Sequence, residues 1–405
     1  MRPALAARLA EHRTGRELAD RQRARIALKR TGPVTVTDGD RELVNFCGND
    51  YLGLAMHPEI AAAMADCARA GVGSGASALV CGYTPVHREL ECRLADFFGF
   101  ESALLVASGY QANLAIGQAL LAPGQPVLAD RLNHASLNDG ARLADARIRR
   151  YRHADAAHAA TRCSDPCRWI ASDGVFSMDG DLAPLPQLIA LAERKNLGLW
   201  LDDAHGFGVL GSTGRGIIEH FGACSSNIDA FVVTFGKALG THGAVIAGDR
   251  ALIDELVNCG RGIVYSTAMP APLAAAGTRA LEILQSERWR AARLHDNIAR
   301  FRDRLAGLGQ TRLSDPDADP TDPRPRCDPT LRLPASATAI QPIIVGDDAR
   351  ALRLSEGLAE HGFLVRAIRP PSVPEGSARL RITLSAAHAP QQIDALVDSI
   401  RKLVT

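Results

Sequence analysis

"VVTFGKALG", residues 232–240, sets one lysine, Lys237, just past a run of β-branched and aromatic residues, with Gly236 before it and Gly240 after. Such a run reads as a buried strand, and a lysine head group is costly to bury. Taken alone, Lys237 is a solvated residue at a strand end. The rest of the chain changes that reading.

Around this stretch, from residue 46 to residue 285, short apolar runs alternate with helical patterns. "ALLVAS", "PVLAD", "WIASDG", "LGLWLDD", "AFVVTFG" and "GAVIAG" read as strands, and "LPQLIALAERKN" as a helix between them. This alternation predicts an α/β domain with a mostly parallel sheet. Residues 1–45 read as a charged helical arm that ends in a short strand pair around "VTVTDGDRELVNF". Residues 286–405 read as a smaller α+β domain, opened by the amphipathic "SERWRAARLHDNIARFRDRLAGLG" and carrying the strand candidates "AIQPIIVG", "GFLVRAIRP" and "ARLRITL". Within it, the Asp- and Pro-rich residues 312–336 read as an inserted surface loop.

At 405 residues the chain is too long for one small core, so two or three structural units are the default. Net charge is +1, with 46 basic and 45 acidic residues, which gives no electrostatic case for nucleic acid or an anionic membrane as the main partner. No apolar run reaches the roughly 20 residues that span a bilayer. The first 30 residues lack the apolar core of a secretory signal. The nine cysteines show no regular spacing, and no His or Cys cluster near Cys163 and Cys167 completes a metal set. No metal and a cytoplasmic setting are therefore expected.

Several strand candidates end in chemically useful residues. "LGLWLDDAHG" delivers Asp202, Asp203 and His205, "WIASDGVFSMDGD" delivers Asp173 and Ser177, and "LLVASGYQAN" delivers a Ser108-Gly109-Tyr110 turn into a helix. In a parallel sheet such ends converge on one edge, where open α/β folds bind ligands. Pyridoxal phosphate asks for this set: a lysine for its Schiff base, an acid facing the pyridinium nitrogen, and a helix N-terminus for the phosphate. Each piece alone has a plainer reading. A strand-terminal aspartate is often a turn former, and His205 could be a satisfied buried histidine. Together they single out Lys237 and Asp202.

The motifs "NDYLGL", "GSGASALVCGYTPVHRELE", "DRLNHASLNDGARL", "DGVFSMDGDLAPL", "LDDAHGFGVLG", "TFGKALG" and "IVYSTAMP" occur in this order. From about residue 40 onward the chain resembles the α-oxoamine synthases, fold-type-I pyridoxal phosphate enzymes that join an amino acid to an acyl thioester with loss of carbon dioxide. The resemblance implies a large domain with a mostly parallel seven-stranded sheet and a smaller C-terminal domain. It implies Lys237 as cofactor lysine and base, Asp202 at the pyridinium nitrogen, and His205 with Ser177 near the phenolic oxygen. It also implies His134 stacked on the ring and positioning substrate, with Gly109, Tyr110 and Thr234 around the phosphate. Ser266 and Thr267 would reach the cofactor of a homodimer partner.

The run "AIRPPSVPEGSARLRITL" resembles the family branch that condenses L-alanine with a pimeloyl thioester, carried on coenzyme A or acyl carrier protein. On that resemblance Arg381 would hold the amino-acid carboxylate, a task for which a guanidinium fork is suited. Arg369 and Ser372 would lie on the acyl or carboxylate side, and Arg23, with Arg25 the other choice, would be the N-terminal substrate arginine. Two positions depart from the pattern: Ser372 stands where threonine is frequent, and Ala78 where many relatives carry arginine. The alternative within the family is a glycine C-acetyltransferase or another α-oxoamine synthase. An aminotransferase or a non-catalytic binding protein on the same fold fits the motifs less well.

Overall fold

The structure, a computed structural model, describes residues 1–18, 21–163, 166–308 and 331–404. Of the loop expected over 312–336, residues 312–330 lie outside the described residues. Internal contacts divide the chain into two units, residues 49–295 and residues 1–48 together with 296–405.

The N-terminal helix Pro3–Leu18 is shorter than the helical pattern of residues 1–30 suggests. It is followed by β1 (Lys29–Arg30), β2 (Thr35–Asp38) and β3 (Arg41–Asn45). The hairpin of β2 and β3 closes with Asp38 opposite Arg41, and Gly39 at φ 61° supplies the left-handed residue that a two-residue turn needs.

The unit 49–295 is built on a seven-stranded sheet. Its strands are β4 (Ser102–Val106), β5 (Pro126–Asp130), β6 (Arg147–Tyr151), β7 (Trp169–Asp173), β8 (Gly198–Asp202), β9 (Ala230–Thr234) and β10 (Ala244–Gly248). They lie in the order β4-β10-β9-β8-β7-β5-β6. β10 runs antiparallel to both neighbours, and every other pair is parallel. The C-terminal ends of β4, β5, β7, β8 and β9 therefore share one edge. Six of the seven strands coincide with apolar runs in the sequence. The seventh, β6, escapes that reading because "RIRRY" carries Arg147, Arg149 and Arg150. It is an edge strand, where charge discourages further pairing.

One sheet face is covered by the helices Gly109–Leu120 and Ala135–Leu143, which pack on each other. Their backbones touch: a Cβ on Gly117 would stand 2.3 Å from the Gly140 carbonyl, and one on Gly140 would stand 2.3 Å from the Asn113 carbonyl. Only glycine permits that approach. Beneath them Ala112, Ile116, Leu137, Trp200 and Val232 form part of one buried cluster.

In the other unit β11 (Ile340–Gly346), β13 (Arg366–Ile368) and β14 (Ala378–Thr383) form an antiparallel sheet in the order β11-β14-β13, while β12 (Phe363–Leu364) pairs in parallel with β3. The helix Pro390–Val404 buries Ile393, Leu396, Val397, Ile400 and Val404, a helical spacing that gives it one apolar stripe.

Candidate active site

The shared strand edge holds a cavity of about 200 Å³ lined by Gly109, Tyr110, His134, Ser136, Asp173, Asp202, Ala204, His205, Thr234 and Lys237. Each comes from a strand end or the turn after it. Thr234 closes β9 and Lys237 follows three residues later, Asp202 closes β8 ahead of His205, and Asp173 closes β7. His134 and Ser136 follow β5, and Gly109 follows β4.

Lys237 Nζ lies 2.8 Å from His205 Nε2, and the other ring nitrogen of His205 lies 2.6 Å from the Tyr51 hydroxyl. Tyr51 is 1% exposed. The lysine amine thus ends a buried polar chain rather than standing in bulk water.

Asp202 is buried, and both its oxygens accept hydrogen bonds. The Ala204 amide donates to Oδ1 over 3.0 Å, and Asn113 Nδ2 donates to Oδ2 over 2.6 Å. Asp203, next along the chain, points the other way, as alternation along an extended segment requires, and accepts the Ile217 amide over 2.7 Å. It does not line the cavity. Asp173 is opposite Asp202 on the neighbouring strand. Burial, with the Asp202 charge adding to it, pushes its carboxyl well above the usual range; its Oδ2 accepts the His134 amide over 2.6 Å. Burial also lowers the His134 imidazole below its ordinary value, against the opposing pull of Asp202.

At the other end of the cavity Ser108 caps the helix Gly109–Leu120, accepting the Gln111 amide over 3.2 Å. The first N–H groups of a helix have no intrahelical acceptor, and here they belong to Gly109 and Tyr110, both cavity residues. The Tyr110 hydroxyl donates to Asp139 over 2.5 Å, and its ring meets that of His134 edge-on at 6.4 Å. The Thr234 hydroxyl donates to the Gly243 carbonyl over 3.0 Å, so its oxygen keeps acceptor capacity. An amine, a buried carboxylate with two donors, and a helix N-terminus around one cavity form a donor set that fits pyridoxal phosphate.

Of the residues singled out in the sequence, Lys237, Asp202, His205, His134, Thr234, Gly109 and Tyr110 are brought together here. Ser177 is half-buried in the turn after β7 and does not line the cavity. Ser266 is half-buried and Thr267 exposed, the latter bridged to Ser77; neither lines it. Arg23, Arg369, Ser372 and Arg381 belong to the other unit. There Arg381 is buried at the middle of β14, Arg23 and Ser372 are exposed, and the Ser372 amide donates to the Arg369 carbonyl. Sequence reasoning missed Tyr51, Asn113 and Ser136. The signal for Asn113 is faint: Trp200 stands two residues before Asp202, hence on the same sheet face, and an indole there needs an acceptor.

Residues 41–400 match the family model described as "Aminotransferase class I and II". An 8-amino-7-oxononanoate synthase from Ectopseudomonas mendocina (strain ymp) is 48% identical over 400 residues, 98% of this chain and 96% of that one. One from Thioalkalivibrio sulfidiphilus (strain HL-EbGR7) is 48% identical over 381 residues, 93% of this chain and 92% of its own. Among solved structures, a serine palmitoyltransferase from S. paucimobilis with a bound PLP–myriocin aldimine superposes at TM-score 0.86 with 25% identity, covering 98% of this chain and 96% of that one. An 8-amino-7-oxononanoate synthase from Francisella tularensis gives 0.74 with 28% identity, covering 89% and 97%. The backbone is therefore shared with enzymes of both names, whereas these two relatives at 48% identity carry one. The chain belongs to the 8-amino-7-oxononanoate synthases, pyridoxal-phosphate-dependent acyltransferases of the class I and II aminotransferase fold.

Proposed function

We propose that this chain condenses L-alanine with a pimeloyl thioester to give 8-amino-7-oxononanoate, carbon dioxide and the free thiol, a step of biotin synthesis. The observation that carries the reading is the cavity in which the Lys237 amine, the doubly bonded Asp202 carboxylate and the N-terminus of the helix Gly109–Leu120 face one volume; full-length identity to synthases of that name supports the substrate pair.

Bound pyridoxal phosphate supplies an electron sink for the carbanion at the amino-acid Cα. Lys237 holds the cofactor between turnovers and, once released by the incoming amine, takes the Cα proton. His205, bonded to Lys237 Nζ, keeps that amine aimed and shares its proton. Asp202, held by two donors, would face the ring nitrogen and favour its protonated form. His134 would stack on the ring and border the substrate, and Ser177 would support the phenolic-oxygen side. Gly109, Tyr110 and Thr234 hold the phosphate through amides and a hydroxyl. Arg381 takes the alanine carboxylate, with Arg23, Arg369 and Ser372 at the substrate end. The buried side chains of Ser136, Asp173, Asp202 and His205 would limit the water able to reprotonate the substrate carbon before it meets the thioester carbonyl.

The working form is a homodimer in this proposal, with Ser266 and Thr267 serving the partner's site. Support comes from apolar side chains exposed on neighbouring segments: Val72 at 78%, Val80 at 79% and Tyr265 at 74%, with Leu79 and Tyr83 beside them. The segments are joined by the Ser77–Thr267 bridge, and exposed apolar side chains gathered on joined segments suit an association site. The setting is the reducing cytoplasm, in keeping with eight free thiols among the described residues.

The deciding experiment offers the cofactor-loaded protein L-alanine or glycine, each with pimeloyl- or acetyl-coenzyme A, and identifies products by mass. Only the alanine–pimeloyl ketone is expected. A glycine–acetyl product, or transfer of the amino group without a new carbon–carbon bond, would overturn the assignment. A parallel arm with pimeloyl-acyl carrier protein decides the carrier.

A further inference from the structure

The hydrogen bonds behind Asp202 converge on a residue outside the cavity. Asn113, on the second turn of the helix Gly109–Leu120, is 0% exposed. Trp200 Nε1 donates to Asn113 Oδ1 over 3.0 Å. Asn113 Nδ2 donates to Asp202 Oδ2 over 2.6 Å and to Ser136 Oγ over 2.8 Å. The orientation of this amide is forced. An indole N–H can only donate, so the amide oxygen must face Trp200, and the two amide hydrogens must face Asp202 and Ser136. Trp200 and Asp202 share a sheet face because they are two residues apart on β8, and the close packing at Gly117 and Gly140 lets the helix reach them both.

The two arms do different work. Toward Asp202, the Asn113 donor joins the Ala204 amide, so each carboxylate oxygen has a donor, an arrangement that favours the charged form. Toward His134, Ser136 Oγ accepts from Asn113 and lies 2.7 Å from His134 Nδ1, which the Ser136 amide also approaches at 3.3 Å. An N–H directed at Nδ1 makes that nitrogen the acceptor, which leaves the ring hydrogen on Nε2. Asp173, Asp203 and His134 are the titratable groups that feel the Asp202 charge, and the Lys237 charge acts on the same three in the opposite sense.

We infer that Asn113, locked by Trp200, is the positioning residue that sets two residues of the cofactor site together: the Asp202 carboxylate and the Nε2–H tautomer of His134. The inference rests on the cofactor reading above. If Asn113 were only a satisfied core amide, its loss would lower stability and leave the ring nitrogen's protonation alone.

The test uses the dimeric holoenzyme loaded with pyridoxal phosphate carrying ¹⁵N in the ring. Borohydride reduction and peptide mapping of the wild type come first, and failure to find the cofactor on Lys237 would remove the underlying reading rather than this one. The ring-nitrogen shift is then followed against pH in wild type, Asn113→Ala and Trp200→Phe. For Asn113→Ala the midpoint for loss of the ring proton is expected to fall by about one pH unit, and kcat by about tenfold with little change in the KM for alanine. Trp200→Phe keeps an aromatic core, frees the amide to turn, and should move the midpoint the same way by less; it carries the test if Asn113→Ala does not fold. A lowered melting temperature with an unmoved nitrogen midpoint in every folded variant would overturn the inference.

Discussion

Lys237 Nζ and His205 Nε2 lie 2.8 Å apart, so the amine proposed as the base is already in hydrogen-bond contact with an imidazole, a group able to give or take a proton. A lysine amine in water is protonated at pH 7 and is a poor base. Contact with an imidazole whose other nitrogen is tied to a buried tyrosine gives it a fixed partner for proton exchange, and the strand end gives it a fixed position.

Removing that amine has a direct consequence. Lys237→Ala should bind pyridoxal phosphate weakly and without a covalent link, so borohydride no longer fixes the cofactor to protein. Turnover with alanine should drop at least about 10²- to 10⁴-fold, the usual worth of a positioned acid–base group. Wild-type turnover in this variant would exclude Lys237 as base.

The far end of the same chain can be tested more gently. Tyr51→Phe keeps the buried ring and deletes the hydroxyl that lies 2.6 Å from His205 Nδ1 and donates to Asn49 Oδ1 over 3.2 Å. The fold should persist with a loss of roughly 1 kcal/mol. The pH profile of kcat should shift, because the tautomer of His205 is no longer held from behind. An unchanged profile would reduce Tyr51 to a packing residue.

The cavity residues were legible where their chemistry clashed with their surroundings. Lys237 and Asp202 each end or follow an apolar run. Either position alone suits a solvated lysine or a turn-forming aspartate, and only their convergence on one sheet edge points to a ligand, while Thr234 follows from the family resemblance. Asn113, Ser136 and Tyr51 were not, because each lies within a helix or turn whose pattern already explains a buried side chain; only the three-dimensional meeting of Asn113 with Trp200 and Asp202 gives it a second meaning. The fold shows the same division. Six strands of the large sheet announce themselves by apolar runs, and arginine-rich β6 does not. The parallel pairing of Val44 with Phe363 links residues so distant in sequence that no local pattern encodes it. The division at residues 295/296 falls inside the continuous helix Trp289–Leu305, where no break in periodicity marks it.

Arg381 is buried on β14, and it is the residue named for the alanine carboxylate. Arg381→Ala should weaken alanine binding by about 1.5–3 kcal/mol, the range for hydrogen bonds to a charged group. Cofactor affinity should stay near wild type. An alanine titration followed by cofactor absorbance measures both, and unchanged alanine affinity would remove Arg381 from the site.

Stability should fall off on both sides of neutrality, for opposite reasons in the two units. His388 stacks on Phe46 at 4.0 Å and 7°, and its Nδ1 accepts the Ser385 amide over 2.9 Å. Burial lowers its pKa from 6.5 to about 4, against the Asn45 carbonyl. The folded unit prefers this ring neutral, so its contribution is present above the unfolded value of 6.5 and is lost as the pH falls toward and through 4. The difference corresponds to roughly 3 kcal/mol. His153 is the reverse case. Burial alone would lower it, but hydrogen bonds to Asp130 at 3.0 Å and Asp181 at 2.6 Å, with their charges, raise it to about 10. Its contribution is complete below 6.5 and is lost as the pH rises through 10. Because Asp130 opens the turn that carries His134 and Asp181 closes the one that carries Ser177, the alkaline loss should reach the active site before the whole unit unfolds. Melting temperatures across the pH range for wild type, His388→Gln and His153→Gln check this. The first substitution should flatten the acid limb alone and the second the alkaline limb alone; if either variant keeps the wild-type slope, that histidine is not the group titrating there.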